Sequence, residues 1–129
     1  MVDYTPDYIT SLEDNEIFCF GSNIEGRHDG GAAKLAREKF GAIYGKGVGA
    51  QGQSYAIPTM GGLLQTKMYL LDFHIYALLR PNLKFYLTKI GLGIAGYKIE
   101  DIAPLCKDLP NNVIQPKEFK EFNDDKKPR

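Results

Sequence analysis

The chain lacks an excess of charge of either sign. Sixteen basic residues are matched by sixteen acidic ones over 129 positions. No global field therefore draws it to nucleic acid as a bulk partner or to an anionic membrane, and any recognition of phosphate has to be local. Long apolar runs are also missing. The longest strongly apolar stretch, 68–79, is interrupted by Asp72 and His74 and falls short of the ~20 residues a membrane span requires. Met1-Val2-Asp3-Tyr4 has neither the basic start nor the apolar core of a signal peptide, so a cytoplasmic location is expected. Cysteine is scarce. Cys19, flanked by Phe18 and Phe20, falls in an expected strand and Cys106 in an expected helix. Two distant thiols make neither a disulfide framework nor a metal-ligand cluster. Both are read as core residues, and no metal or cofactor is expected.

Glycine, in contrast, is concentrated where chemistry needs it. Gly21-Ser22-Asn23-Ile24-Glu25-Gly26-Arg27-His28-Asp29-Gly30-Gly31-Ala32-Ala33 joins an apolar strand to an amphipathic helix. Glycines let backbone N–H groups approach a ligand closely, and the free N–H groups of the following helix carry the positive end of its dipole. A second stretch, Gly91-Leu92-Gly93-Ile94-Ala95-Gly96-Tyr97, again follows a strand and precedes a helix. Both loops suit an anion, and phosphate is the natural guest.

The hydrophobic pattern sets these loops in a frame. An apolar run over 16–20 ends at Gly21 and reads as a buried strand. Residues 32–40 read as a helix with one wet face, stopped by Gly41. The glycine-rich stretch 41–53 reads as a long loop, and 54–58 as a short strand. From 64 to 79, Leu64, Met68, Leu71, Ile75, Leu78 and Leu79 fall at helical spacing until Pro81-Asn82 ends the segment. A strand over 83–88, a helix over 99–109 and a strand over 112–115 follow, and 117–129 reads as a charged, poorly ordered tail. With 43% hydrophobic content this makes one α/β domain over 1–116, with a parallel sheet covered by helices on both faces. In such sheets ligands sit beyond the carboxyl ends of the strands, where both glycine loops begin. One composite site is expected.

Familiar motifs do not account for the loops. Gly91-x-Gly93-x-x-Gly96 matches a dinucleotide fingerprint in spacing, but the next strand ends at Gln115-Pro116 rather than at an acidic residue, which argues against hydride chemistry. Gly45-Lys46-Gly47 lacks the spacing and the Ser or Thr of a P-loop. Asn23 is either a turn former or an amide offering donor and acceptor to a ribose. His28 and Asp29 are either an acid–base pair beside a bound sugar or a solvated loop pair. Arg27 either meets phosphate or holds the loop against a carboxylate. His74 is read as structural or exposed, and Tyr97 as an aromatic face for a ribose or base.

In order and composition these segments, with Gly52-Gln53-Ser54-Tyr55-Ala56-Ile57-Pro58 between them, resemble the macro domain over about 16–109. That family carries N-A-A-N followed by G-G-G-V, then T-x-G-Y-x-L-P, then S-T-G-I-Y-G-Y-P. Gly-Ser-Asn-x-x-Gly-Arg-His and Gly-Val-Gly-x-Gln-Gly-x-Ser-Tyr-Ala-Ile-Pro-Thr are similar, more closely still, to a family of small uncharacterised bacterial and phage proteins. The macro-domain resemblance implies a mostly parallel three-layer α/β/α sandwich that binds ADP-ribose or a related NAD-derived nucleotide, and it leaves open whether hydrolysis of an ADP-ribosyl bond follows binding. Asn23 would meet the distal ribose, and Gly21, Ser22, Arg27 and Ala32 would belong to the same site. Gly30 and Gly31 would form the first phosphate loop. Gly91, Gly93, Ile94, Ala95 and Gly96 would form the second, with Tyr97 lining the ribose. Asp7-Tyr8-Ile9-Thr10 is loosely similar to the family's G-D-I-T, whose Asp reads the adenine amino group. The first Asn of N-A-A-N is missing, Ala95 replaces an aromatic, and Arg27-His28-Asp29 replaces part of the glycine run. The alternatives are a non-catalytic nucleotide reader and a phosphoesterase or nucleoside-modifying enzyme on the same scaffold.

Overall fold

Alternation along one strand organises the molecule. In the computed structural model, which describes residues 3–125, Glu16–Ser22 form β1 at the centre of a five-stranded sheet. The other strands are β2 (Gly49–Gln51), β3 (Ser54–Pro58), β4 (Lys84–Leu87) and β5 (Val113–Ile114), in the order β2-β3-β1-β4-β5. Phe18 and Phe20 of β1 join one core cluster with Ala33, Ala36 and Phe40. Cys19, between them, belongs to the other cluster with Leu70, Phe73, Phe85 and Phe119. A period of two thus feeds two cores from one strand.

The helices are α1 (Gly31–Lys39), α2 (Leu63–Leu78), α3 (Ile99–Ile102) and α4 (Lys117–Asp125). A 3-10 turn over Ala103–Cys106 continues α3, where Pro104 removes a backbone donor. The Asn112 Nδ2 amide lies 3.0, 3.0 and 3.1 Å from the carbonyls of Ala77, Arg80 and Leu83, closing the end of α2 onto the entry to β4.

Several expectations need correction. The sheet is mixed rather than mostly parallel: β1 pairs in parallel with β3 and β4, and β4 with β5, but β2 runs antiparallel to β3. β2 lies inside the stretch read as a glycine-rich loop. The stretch read as a disordered tail begins with α4, whose Phe119 is fully buried and whose Asn123 donates to Ala103 O at 2.8 Å; residues 126–129 lie outside the described residues. On α2 the buried residues are Thr66, Leu70, Phe73 and Ala77, so the apolar stripe picked out by spacing is the face left in solvent. Among the described residues no helix is long and apolar enough to cross a membrane.

Candidate functional site

Strand order sets the site. From β1 the chain passes through α1 to β3 on one side, and from β3 it crosses to β4 on the other side of β1. Loops leaving neighbouring strands in opposite directions open a crevice at their carboxyl ends, and the two glycine loops leave β1 and β4. A methyl group placed on Gly21 would lie 3.5 Å from the backbone nitrogen of Gly91. The loops are adjacent at their roots.

They line one cleft of about 680 Å³, within the range of small-molecule sites. Gly21, Ser22, Asn23, Arg27 and Asp29 form one wall, with Gly30, Gly31 and Ala32 at the start of α1. Gly91, Gly93, Ile94 and Ala95 form the opposite wall. A second cavity of about 760 Å³ adjoins it, sharing Gly31, Ala32, Thr88 and Lys89 and reaching Asp7, Tyr8, Ile9 and Thr10.

Both walls present backbone donors. Gly30 caps α1 without a side-chain hydrogen bond, and the first turn of the helix carries no acidic residue. Its leading N–H groups and the positive end of its dipole are left to the cleft. In the second loop Gly96 N–H donates to Gly93 O at 3.0 Å and Tyr97 N–H to Gly91 O at 2.9 Å. Among the described residues no carbonyl or side chain accepts from the N–H groups of 92–95, so this turn keeps unspent donors of the kind that anion-binding loops use. Gly91 has a φ of 78°, and a Cβ there would meet Ile102 Cδ1 at 2.9 Å. Only glycine allows this turn to settle onto the core.

Four expected site residues lie elsewhere or are otherwise engaged. His28 does not line the cleft. It is fully buried, its ring edge-on to Phe20 and Tyr44, with Nε2 2.9 Å from Lys46 O; that carbonyl fixes the proton on Nε2, while Nδ1 has no partner. Tyr97 packs against the core beside Gly91 instead of lining the crevice, and Gly96 shapes the turn without reaching it. Asn23 is in the cleft but also forms the turn: its Oδ1 accepts from Arg27 N–H at 2.8 Å and its Nδ2 donates to Arg27 O at 3.2 Å. One N–H and one lone pair of the amide are left for a ligand.

The stretch 41–53 braces the first loop and does not line the cleft. Ser22 Oγ donates to Gly47 O at 2.6 Å and Gly45 N–H to Gly26 O at 2.8 Å. Gly47 packs so tightly against the carbonyl oxygens of Asn23 and Ile24 that no Cβ fits.

Residues absent from the sequence reading complete the walls: Thr59 and Met60 after β3, and Thr88 and Lys89 after β4. Their position at carboxyl ends of parallel strands is the signal that could have found them. Lys89 Nζ lies 2.6 Å from Glu118 Oε2 and 3.7 Å from Asp7 Oδ1. The hydrogen bond with Glu118 raises the lysine pKa and lowers that of the carboxyl. Thiol chemistry has no place here. Both cysteines are fully buried, and burial pushes the Cys106 thiol up to about 12 and the Cys19 thiol upward as well.

Protein-family models, curated proteins and solved structures were all compared with the chain, and none matches.

Proposed function

We propose that the cleft binds a nucleotide diphosphate of the ADP-ribose class, its pyrophosphate held between the start of α1 and the loop over 91–96. One observation carries the reading: two glycine loops line one crevice whose roots, Gly21 and Gly91, are in van der Waals reach, and the uncapped start of α1 and the residues 92–95, whose N–H groups have no partner among the described residues, belong to those loops. Hydrogen bonds to a charged group are worth ~1.5–3 kcal/mol each, so three or four of them sustain micromolar binding after the entropic losses of association. Asn23 keeps an N–H and a lone pair for the distal ribose. The adjoining cavity, with Asp7 and the ring of Tyr8 on its wall, is where an adenine would lie. The finer architecture of this reading is a three-layer α/β/α sandwich of macro-domain kind, and a cytoplasmic location goes with it.

A reader without turnover is favoured by the position of His28. With its imidazole buried away from the crevice, Asp29 and Glu25 are the carboxylates left on the cleft wall, and no imidazole acid–base partner accompanies them. Hydrolysis, on this reading, rests on Asp29 alone to activate water, with Asn23 to orient the ribose.

Titration calorimetry with ADP-ribose, ADP and NAD tests binding; no heat with any of them refutes the proposal. Incubation with ADP-ribosylated protein separates reader from hydrolase. A reader retains the modification, whereas a hydrolase releases it and loses turnover in Asn23→Ala and Asp29→Ala.

A further inference from the structure

Helix α2 is apolar on both sides, and the sheet takes only one of them. Thr66, Leu70, Phe73 and Ala77 turn inward. Leu64, Met68, Leu71, Ile75 and Leu78 stand opposite, each between 54% and 74% exposed. A helix apolar all round belongs in an environment that covers both sides, and a continuous apolar stripe on a soluble domain marks a contact surface.

The spacing points to what covers it. The five residues are separated by four, three, four and three positions, which is the 3.5-residue repeat of a two-stranded coiled coil. Leu64, Leu71 and Leu78 fall at the d position, and Met68 and Ile75 at the a position. Leucine at every d position with the β-branched Ile75 at one of the two a positions favours two strands in a parallel coil. Such a stripe is complementary to itself about a two-fold axis running along the helices, each leucine layer meeting its own copy.

Charge agrees with that orientation. The formal charges of α2 are Lys67 and Asp72, which occupy the g position of one heptad and the e position of the next. In a parallel pair these face each other across the seam, so Lys67 of each copy meets Asp72 of the other, twice by symmetry. In an antiparallel pair g positions face g positions, so Lys67 turns toward His74 and Asp72 is left without a cation.

We infer that α2 is the contact of a parallel, two-fold symmetric homodimer, with a seam roughly 21 Å long at 1.5 Å per residue. Met60 lines the cleft and α2 begins three residues later, so the parallel arrangement brings both clefts to the same end of the pair.

Sedimentation of the full chain over a wide concentration range tests this. The expected mass rises toward twice 14.4 kDa. The doubly substituted Leu71→Glu, Ile75→Glu, altered only at exposed positions, keeps its circular dichroism spectrum and stays at the monomer mass. Lys67→Glu weakens the dimer roughly tenfold by setting like charges opposite each other, and adding Asp72→Lys restores it. Because Cys19 and Cys106 are buried, Leu64→Cys introduces the one reactive thiol among the described residues. It forms a covalent dimer on mild oxidation if the helices are parallel, whereas an antiparallel pair holds the two thiols roughly 21 Å apart. A monomeric wild type at every concentration, a dimer that survives the double glutamate substitution, a charge swap without rescue, or no cross-link each overturns the proposal.

Discussion

Gly21→Ala separates the fold from the proposed activity. Its Cβ would sit 3.4 Å from Thr59 Oγ1, 3.5 Å from Gly91 N and 3.5 Å from Ile90 Cβ. These are ordinary contacts, and Gly21 has no positive φ, so the strand accepts alanine. Replacing a strand glycine by alanine stabilises by roughly 0.5–1 kcal/mol through the unfolded chain, and the melting temperature is expected to hold or rise slightly. Binding responds in the opposite direction. A phosphate oxygen accepting from Gly91 N–H must lie about 2.9 Å from that nitrogen, in the space the new methyl narrows. Losing one charge-assisted hydrogen bond at ~1.5–3 kcal/mol lowers affinity for ADP-ribose roughly 10- to 150-fold. Calorimetric titration paired with thermal melts of wild type and variant reads both quantities. Unchanged affinity in a fully folded Gly21→Ala would show that the diphosphate does not cross this junction, and the reasoning would fail.

Gly30→Asp gives α1 the side-chain cap it lacks, adding a few tenths of a kcal/mol to stability, while its carboxylate occupies the donors that the proposal assigns to phosphate; ADP-ribose binding is expected to vanish with the melting temperature unchanged or higher, and retained binding in calorimetry would contradict the placement. The Lys89–Glu118 pair makes stability pH-dependent. Because the Glu118 pKa is lowered on folding, its contribution is complete above the unfolded carboxylate value of about 4.3 and is lost as pH falls through the folded value. With side chains 43% and 39% exposed the effect stays below ~1 kcal/mol, and Glu118→Gln is expected to flatten the acid limb of melting temperature against pH; identical limbs would remove the pair from the account. Asn112→Ala strips the amide that gathers the carbonyls of Ala77, Arg80 and Leu83 and is expected to cost ~1–3 kcal/mol in urea denaturation with ADP-ribose affinity intact, whereas a loss under ~0.5 kcal/mol would mean that water replaces it.

How far the sequence could be read depended on whether the signal was local. The strand over 54–58 appears at the expected positions because an apolar run bounded by Gly52 and Thr59 admits little else. The crevice was legible for the same reason: glycines at strand ends report a backbone requirement that acts within a few residues. The covered face of α2 was not, because a helix with two apolar stripes offers no contrast from which to choose. α4 was obscured by its charges, although Phe119, Phe122 and Asn123 repeat at helical spacing just after Pro116. β2 has three residues beginning with a glycine, too little pattern to outweigh its loop-like composition. His28 was misjudged because its neighbours in sequence are polar, while the Phe20 and Tyr44 rings that enclose it arrive from other segments.

The brace formed by 41–53 has a kinetic consequence. Gly47, wedged under the Asn23 and Ile24 carbonyls, and the His28 ring, pinned to Lys46 O, fix the shape of the first wall before any guest arrives. A receptor shaped in advance loses little conformational entropy on capture. If the proposed nucleotide binds here, association is expected as a single collision-limited step with no slower isomerisation behind it, and differences between competing nucleotides would be expressed in how long each one stays.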